Sequence, residues 1–329
     1  MTNGAIAEAI ICKYCSSLNT VKYGTFKGTQ YYWCKDCKRK FVPNEALPKM
    51  KTPINLIADA VDSYFGGMPL DAIQRNLGQQ YNTHFSESGI YYWIIRFSKD
   101  AIEQTKDFKP EVGDEWIADE TGIRVGNRSV WFWDIIDAKS RYLLASRISI
   151  SRGAEEAEAL VRQASERAGK IPKRIITDKM GAYLIGIERA FGMETKHIQS
   201  RPFTSTDSTN IIERFHGTLK DRTKVIRGFK NMDTARLLTQ AWLVHYNFFK
   251  EHTSLGDIPP AQSMGMPVPI RNWKDVVAKG RVMPSVLERK SHITGVKLPP
   301  KRKRKHPKRR PEALADKTYY QATISQVRL

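Results

Sequence analysis

Three neighbouring segments decide the fold: EWIADETGIRV (115–125), SVWFWDIID (129–137) and RYLLASRISI (141–150). Each is rich in β-branched and aromatic residues, and short polar connections, Gly-Asn-Arg and Asp-Ala-Lys-Ser-Arg, separate them. Connections of this length and composition are typical of β-hairpins. The pattern therefore predicts three consecutive antiparallel strands.

The sequence that follows alternates between helical and strand patterns. An amphipathic segment (153–169) precedes a strand pattern, KRIITD (173–178); a helix is predicted near 181–191, a strand near METKHIQ (193–199), and another helix from about Ser208. The order βββαβαβα predicts an α/β fold with a mixed five-stranded sheet flanked by helices on both faces. Functional sites in such sheets gather at strand ends.

Three carboxylates stand where such a sheet exposes side chains. Asp119 lies inside the first strand, Asp178 ends the strand KRIITD, and Glu213 lies near the start of the last helix. Two ionised carboxylates about 4 Å apart repel by roughly 4 kcal/mol at an effective dielectric of 20, so three of them require a cation. Oxygen ligands favour Mg²⁺ or Mn²⁺, and a pair of such ions supports in-line phosphoryl transfer. The three acids therefore predict a two-metal site for DNA cleavage and joining.

Other carboxylates compete for these roles, and spacing alone does not exclude them: Glu120, Asp134, Asp137 and Asp207. Asp137 is expected in a hairpin and Asp207 at a helix cap. Strand-end aspartates are usually caps, and helix glutamates usually face solvent. The prediction therefore rests on the combination of the three acids rather than on any one of them.

The helix that carries Glu213 has two distinct faces. At 100° per residue its apolar residues gather on one side, and Glu213, His216 and Lys220 gather on the other. The helix dipole favours Glu213 near the helix start, and Lys220 is placed to hold a phosphate beside the metals. For His216 two predictions stand side by side, a DNA contact and a solvated or hydrogen-bonded histidine.

All four cysteines of the chain form two Cys-x-x-Cys pairs: Cys12, Cys15, Cys34 and Cys37. This spacing predicts a ribbon that holds one structural Zn²⁺. Two disulfides are the alternative, which a reducing interior disfavours. Lys38 and Arg39, beside the second pair, are expected to touch DNA phosphates or to belong to a solvated basic face.

Residues 53–103 contain three short helical patterns: INLIADAVDSYF (54–65), PLDAIQRNL (69–77) and ESGIYYWIIRFSKDAI (87–102). Gly78 suits the end of the second helix, and Ser86 or Ser88 suits the cap of the third. This layout predicts a helix-turn-helix module whose last helix enters a major groove, with Arg96 as a candidate DNA contact. A helical spacer is the alternative.

The chain is strongly basic. It contains 54 Lys and Arg against 34 Asp and Glu, a formal net charge of +20, and eight of the positive charges lie in KRKRKHPKRR (301–310). Such a field favours a polyanionic partner, with nucleic acid as the first candidate. After a helix near 271–279 the tail is expected to be extended, with disorder at 297–312. No run of 18 apolar residues and no secretory leader pattern occurs, which predicts a cytoplasmic, nucleoid-associated protein.

The chemistry-bearing blocks resemble the DDE transposases of bacterial and archaeal insertion sequences, whose catalytic domain has the RNase H-like fold shared with retroviral integrase. The blocks are Trp116 with Asp119-Glu120-Thr121 and Asp137; Thr177-Asp178 with Ala182-Tyr183; Asn210-x-x-Glu213-Arg214-Phe215-His216 with Lys220; and Gly228-Phe229-Lys230. The segments His245-Tyr246-Asn247-Phe248 and Pro259-Pro260-Ala261 are similar to the end of many integrase-like cores. The resemblance covers about 114–262.

The resemblance implies that Asp119, Asp178 and Glu213 bind two Mg²⁺ or Mn²⁺ ions and that Lys220 contacts DNA, with Arg214 of the same block as a further candidate. It implies double-stranded DNA with terminal inverted repeats as substrate, cleavage by water to a free 3′-OH, and attack of that hydroxyl on target DNA by a homodimer or larger assembly. The expected domains are a zinc ribbon (1–47), a helix-turn-helix module (48–108), an RNase H-like catalytic domain (109–270) and a C-terminal extension with the basic tail (271–329).

Two other functions remain open at the level of sequence. A DNA-binding regulator or domesticated transposase would bind DNA without catalysis, although the intact set of acids argues against it. An RNase H-like metal nuclease or junction resolvase would cleave DNA without joining it.

Overall fold

The computed structural model describes residues 10–44, 46–48, 50–200, 209–226 and 228–280, all within one compact unit, Met1–Met283. The strands are β1 (Thr20–Phe26), β2 (Thr29–Cys34), β3 (Lys40–Phe41), β4 (Glu115–Val125), β5 (Arg128–Asp137), β6 (Leu143–Ser149), β7 (Arg174–Thr177) and β8 (Lys196–Gln199). The helices are α1 (Ile54–Phe65), α2 (Leu70–Tyr81), α3 (Glu87–Thr105), α4 (Ala154–Ala168), α5 (Gly181–Phe191), α6 (Asn210–Val225), α7 (Met232–Phe248), α8 (Pro260–Ser263) and α9 (Trp273–Lys279). Asp207, Ser208 and the basic tail lie outside the described residues.

The larger sheet has the predicted mixed topology. Its strand order is β6-β5-β4-β7-β8. β4, β5 and β6 are antiparallel neighbours, whereas β4, β7 and β8 run parallel to one another. The meander and the two crossovers confirm the α/β, RNase H-like fold. Parallel strands require helical crossovers, which explains the helices after β6 and β7.

Helices cover both faces of this sheet, because successive side chains of a strand point to opposite sides. On one face Phe132 of β5 lies beside Phe215 of α6, with ring centroids 6.4 Å apart. On the other face Trp133 packs edge-on against Tyr183 of α5 at 5.6 Å. α7 covers the first face together with α6, and α4 covers the second together with α5. Side chains of the sheet can therefore reach a ligand only where the helices leave space.

The helices before the sheet match the predicted segments with one correction. α2 does not end at Gly78 but continues to Tyr81, and Asn82 terminates it in the left-handed conformation with φ 48°. Asparagine tolerates the left-handed conformation, so Asn82 rather than Gly78 ends the helix. Ser86 caps α3 as predicted, since its side chain accepts a hydrogen bond from the Gly89 N–H.

Contacts from α6 and α9 tie α1 and the turn after it to the rest of the unit. Arg222 of α6 lies over the Tyr64 ring at 3.7 Å and donates a hydrogen bond to the Met68 carbonyl. Phe65 stacks on Trp273 of α9 at 4.8 Å. The first part of the predicted C-terminal extension thus packs against α1 and α3. Within the described ranges, no helix is long and apolar enough to cross a membrane.

Candidate active site

Strand register places two of the predicted acids side by side. β4 and β7 are parallel, with Ile117 opposite Ile176. Continuing this register by two residues sets Asp119 opposite Asp178 on strands about 4.8 Å apart. Asp178 follows the last residue of β7 and accepts a hydrogen bond from the Met180 N–H at 2.9 Å. Asp119, midway along β4, and Asp178, directly after the end of β7, therefore form a carboxylate pair.

Glu120 joins this pair in the structure. One oxygen each of Asp119, Glu120 and Asp178 lie within 4.8 Å of one another. The Glu120 side chain is 1% exposed and forms an ion pair with Arg152 through Oε1. Its Oε2 is buried and has no hydrogen-bond partner among the described residues. An acid that the sequence marks as a competitor is thus part of the cluster.

Glu213 lies on α6 outside this cluster. It is exposed, and its Oε1 accepts a hydrogen bond from the Thr209 hydroxyl at 2.9 Å. The apolar face of α6 is buried as predicted, through Ile212, Phe215 and Leu219. The structure therefore agrees with the prediction for the apolar face of the helix, and it gathers Asp119 and Asp178 without Glu213.

His216 is buried, although the helical periodicity places it on the polar face of α6. It is 5% exposed, its Nε2 is 2.7 Å from Asp134 Oδ1, and its Nδ1 is 3.4 Å from Asp119 Oδ2. The ring bridges two carboxylates that face each other across β4 and β5. It does not point to solvent, so the structure corrects the predicted DNA contact in favour of the hydrogen-bonded histidine. Asp134, another competitor, is fully buried and serves as the partner of His216.

Burial and neighbouring charges shift the pKa values of this bridge. Burial raises the pKa of Asp119 to about 7; His216 opposes this shift and Asp134 adds to it. Burial also raises the pKa of Asp134. Burial by itself would lower the pKa of His216, but the Asp134 and Asp119 carboxylates outweigh it and raise that pKa above its usual value. The arrangement concentrates acidic groups that a cation stabilises in their charged form.

The donor set fits a divalent cation. Carboxylate oxygens are the ligands that Mg²⁺ and Mn²⁺ prefer, and Asp119, Glu120 and Asp178 supply them from two adjacent strands. Glu120 Oε2 is a buried acceptor close to the acid pair, which a bound cation would stabilise in its charged form. Such a cluster, at the open end of the sheet, has the chemistry of a metal-dependent phosphoryl-transfer site.

The remaining predicted DNA-contacting residues differ in accessibility. The exposed ones are Lys38, Arg39, Arg214 and Lys220. The Arg39 guanidinium lies over the Tyr14 ring at 5.2 Å, which leaves its donors available to a phosphate. Arg96 is half-buried, with Nη1 3.3 Å from Met50 Sδ, so only part of this side chain is available to DNA.

The four cysteines converge on one point beside the small sheet β1-β2-β3. Cys12 Sγ is 3.6 Å from Cys37 Sγ, and Cys15 Sγ is 3.5 Å from Cys34 Sγ. A disulfide requires about 2.05 Å, whereas the edge of a zinc tetrahedron with Zn–S bonds of about 2.3 Å is about 3.8 Å. The backbone N–H of Cys37 contributes most to lowering the pKa of Cys34 to about 7. The sulfurs thus have the spacing of a four-cysteine zinc site.

Asp137 has the role that its position predicts. Its carboxylate accepts hydrogen bonds from the Ser140 N–H and hydroxyl at 2.7 Å, and from the Gly113 N–H at 2.8 Å. It fixes the turn between β5 and β6 at the end of the sheet opposite the acid cluster. It is therefore a structural residue.

Comparison with known protein families agrees with this geometry. Residues 113–252 match the family model DDE_Tnp_IS240, a DDE domain. No curated protein matches the chain.

Solved structures with detectable similarity include retroviral integrases. The HTLV-2 integrase catalytic core domain in complex with magnesium, in its trimeric form, is 18% identical with a TM-score of 0.37, over 48% of this chain and 98% of that one. The BIV integrase catalytic core domain is 19% identical with a TM-score of 0.35, over 46% and 93%. A simian T-cell lymphotropic virus intasome in complex with PP2A regulatory subunit B56 gamma is 17% identical with a TM-score of 0.39, over 63% and 75%.

Proposed function

We propose, from the premise that the chain belongs to the DDE transposases of insertion sequences, that it acts on the two ends of its own element. It binds the terminal inverted repeats, cleaves to a free 3′-OH and joins this hydroxyl to target DNA. The observation that carries the proposal is the register that sets Asp119 opposite Asp178 at the open end of the sheet. Both positions fall inside the matched DDE domain.

The proposed cofactor is a pair of Mg²⁺ or Mn²⁺ ions, held by Asp119, Asp178 and Glu213. Such ions activate the attacking oxygen and stabilise the leaving oxygen of an in-line transfer. Glu213 reaches this role by turning its side chain away from Thr209, with which it shares a hydrogen bond in the structure. Glu120 is held by Arg152, and we assign it to orienting the strand end rather than to binding the ions in place of Glu213.

Basic residues beside the acids have a separate task, which is to hold the DNA backbone. Lys220 and Arg214 are exposed on α6, the helix that carries Glu213. Lysine and arginine on such a helix fix phosphates in register without reading sequence. Sequence recognition is assigned to α1–α3 as a helix-turn-helix module, and further phosphate contacts to Lys38 and Arg39 of a zinc ribbon. Paired element ends require a homodimer or larger assembly.

A strand-transfer assay tests the proposal. Oligonucleotide duplexes that carry the element's ends are incubated with zinc-loaded full-length protein and Mg²⁺ or Mn²⁺. The expected result is joined product that disappears without the divalent ion and in Asp119→Asn. Binding without cleavage would contradict the proposal and favour a catalytically silent DNA-binding protein. Cleavage without joining would favour a metal nuclease.

A further inference from the structure

A basic cleft lies at the far end of the β4–β5 hairpin. It encloses about 650 Å³ and is bordered by Arg128, Arg147, Lys230 and Arg236, with Glu156 as the acidic residue of its lining. Arg147 forms an ion pair with Glu156 at 3.1 Å. The other three basic side chains are exposed and have no ion pair with any described residue. The cleft therefore carries three unneutralised positive charges.

The fold holds the backbone next to Lys230 against the β4–β5 hairpin. The Gly126 N–H at the hairpin tip donates to the Phe229 carbonyl at 2.6 Å, and the Phe229 N–H donates to the Arg124 carbonyl at 3.0 Å. This pairing ties the segment before α7 to the hairpin. Gly228 has φ +86°, and a Cβ there would lie 3.1 Å from the Arg124 carbonyl oxygen, so the close approach depends on glycine. Lys230 is thus positioned by the backbone contacts of the segment before it.

Arg128 of the cleft and Asp119 of the acid cluster lie on one face of the sheet. Arg128 pairs with Val125, and Asp134 pairs with Asp119, in the same β4–β5 ladder. The register separates Arg128 from Asp134 by six residues, an even number, so both side chains lie on the face of Asp119. Six residues at about 3.3 Å each place the cleft about 20 Å from Asp119. Double-stranded DNA spans this distance in about six base pairs at about 3.4 Å each.

The helix α6 connects the two sites. Its residue His216 lies 3.4 Å from Asp119, and the nine residues from there to the helix end near Gly228 cover about 14 Å at 1.5 Å per residue. Lys220 and Lys224 are exposed along it. Lys220 therefore adds an exposed positive charge on the helix between the two sites, whereas Lys224 pairs with Asp221 at 3.7 Å.

We propose that this cleft binds the backbone of the DNA duplex that holds the scissile phosphate, about six base pairs away from it, through Arg128, Lys230 and Arg236. The inference rests on the proposed function and adds to it a path for the DNA. Three cations from three different segments match a polyanion of regular charge spacing better than a single small anion. Binding of one duplex both to the cleft and to the acid cluster also keeps the scissile phosphate beside Asp119 and Asp178 during the reaction.

The test compares the triple variant Arg128→Gln, Lys230→Gln, Arg236→Gln with the wild-type protein. Anisotropy of a fluorescent end duplex, in Ca²⁺ and at rising salt concentrations, gives the slope of log affinity against log salt. Each lost phosphate contact reduces the slope by about 0.9, so the triple variant is expected to lose about 2.7. A matched control, Lys139→Gln, Arg189→Gln, Lys196→Gln, removes three exposed charges at the opposite end of the sheet and is expected to lose less than one contact.

Duplex length adds a second criterion. Shortening the duplex to three base pairs on one side of the scissile phosphate should reduce the wild-type slope by the same amount, and should leave the triple variant unchanged. Shortening on each side in turn identifies whether the bound arm is element or flanking DNA. The charge-conserving variant Arg128→Lys, Lys230→Arg, Arg236→Lys should keep the wild-type slope, which excludes a folding defect as the cause.

Three results would overturn the inference. The slope could be the same in the triple variant and wild type, the control could lose as much as the triple variant, or light scattering could show that the triple variant dissociates an oligomer without a change in slope. The last outcome would identify the cleft as an interface between copies of the chain. Strand transfer by the same wild-type sample, tested with Asp119→Asn, reports on the proposed function independently of these outcomes.

Discussion

The third metal-binding carboxylate provides the sharpest prediction, because the structure places Glu120 with Asp119 and Asp178 whereas the proposed mechanism uses Glu213. Two isosteric variants separate the possibilities, Glu213→Gln and Glu120→Gln. Each removes one negative charge and keeps the shape of the side chain. We expect the first to abolish joining and the second to reduce stability.

The magnitudes follow from burial. Glu213 is exposed and makes one hydrogen bond, to Thr209, so its replacement should change the free energy of unfolding by less than about 0.5 kcal/mol. Loss of a metal ligand removes several kcal/mol of transition-state stabilisation, equivalent to a fall in joining rate on the order of 10³-fold. The Glu120 side chain is 1% exposed and its partner Arg152 is 43% exposed. Breaking this half-buried pair should cost about 1–2 kcal/mol, since Arg152 regains water.

The assay is single-turnover strand transfer with saturating Mg²⁺, normalised to folded protein by near-UV circular dichroism. Direct binding of Mn²⁺, followed by electron paramagnetic resonance, supplies a readout that does not depend on joining. Glu213→Gln should lose both joining and one bound ion while unfolding like the wild type. If Glu213→Gln instead joins DNA at a wild-type rate while a folded Glu120→Gln does not, the metal site is the cluster of Asp119, Glu120 and Asp178, and our assignment is wrong.

Three further predictions test other parts of the structure. His216→Phe leaves the fully buried Asp134 without a partner and should lower the free energy of unfolding, measured in urea, by about 3–5 kcal/mol. The double variant His216→Phe, Asp134→Leu should lose less stability than the sum of the two single variants. Additive losses would exclude coupling between His216 and Asp134. Cys34→Ser or a strong chelator should release one Zn²⁺ per chain, measured by atomic emission. The near-UV circular dichroism of the five-stranded sheet should not change. Wild-type protein purified without bound metal would refute the zinc site. Burial lowers the pKa of His245 to about 3, so below about pH 6.5 the unfolded chain takes up a proton there that the folded chain does not. The free energy of unfolding should therefore fall by about 2 kcal/mol at pH 5 and further toward pH 3. His245→Gln should show a smaller loss of stability between pH 7 and 5, and a pH profile identical to that of the wild type would disprove the prediction.

The strands and their order could be predicted from the sequence because local signals agree with tertiary ones. β4 and β5 match their predicted segments within one residue, and β6 begins two residues later than its segment. Turn residues separate the three strands, and amphipathic helices follow. The position of Asp119 opposite Asp178 depends instead on the β4–β7 register, because Asp119 lies midway along β4 whereas Asp178 follows the end of β7.

The helix α7 is not predicted from the sequence pattern. Its C-terminal half is buried almost all round, from Ala241 to Phe248, so it lacks the polar face that makes a helix recognisable. Its Asn247 side chain bonds both backbone groups of Leu143 at 2.9 Å, a contact between residues 104 positions apart. The role of Asn247 depends on tertiary packing that a single sequence does not reveal.

The bridge formed by His216 escapes sequence analysis for a related reason. A histidine three residues after Glu213 falls on the polar side of a helical projection, but the neighbouring strand also presents a polar group, Asp134, at that point. Whether such a face meets water or another carboxylate depends on the β4–β5 register, which sets Asp134 beside Asp119. The periodicity of a helix shows which of its faces is polar, but only its packing against neighbouring strands shows whether that face is buried.

The same bridge supports the assignment of Glu213. Residues three apart on a helix lie on one face, separated by about 4.5 Å along the axis, so Glu213 is one turn from a ring that lies 3.4 Å from Asp119. With His216 fixed between Asp134 and Asp119, α6 cannot rotate or slide without breaking two buried contacts. In the proposed assignment, Glu213 approaches the acid pair by a change of side-chain rotamer, with loss of its hydrogen bond to Thr209. Glu120 is held in place by the ion pair of its Oε1 with Arg152, and its Oε2 has no hydrogen-bond partner among the described residues.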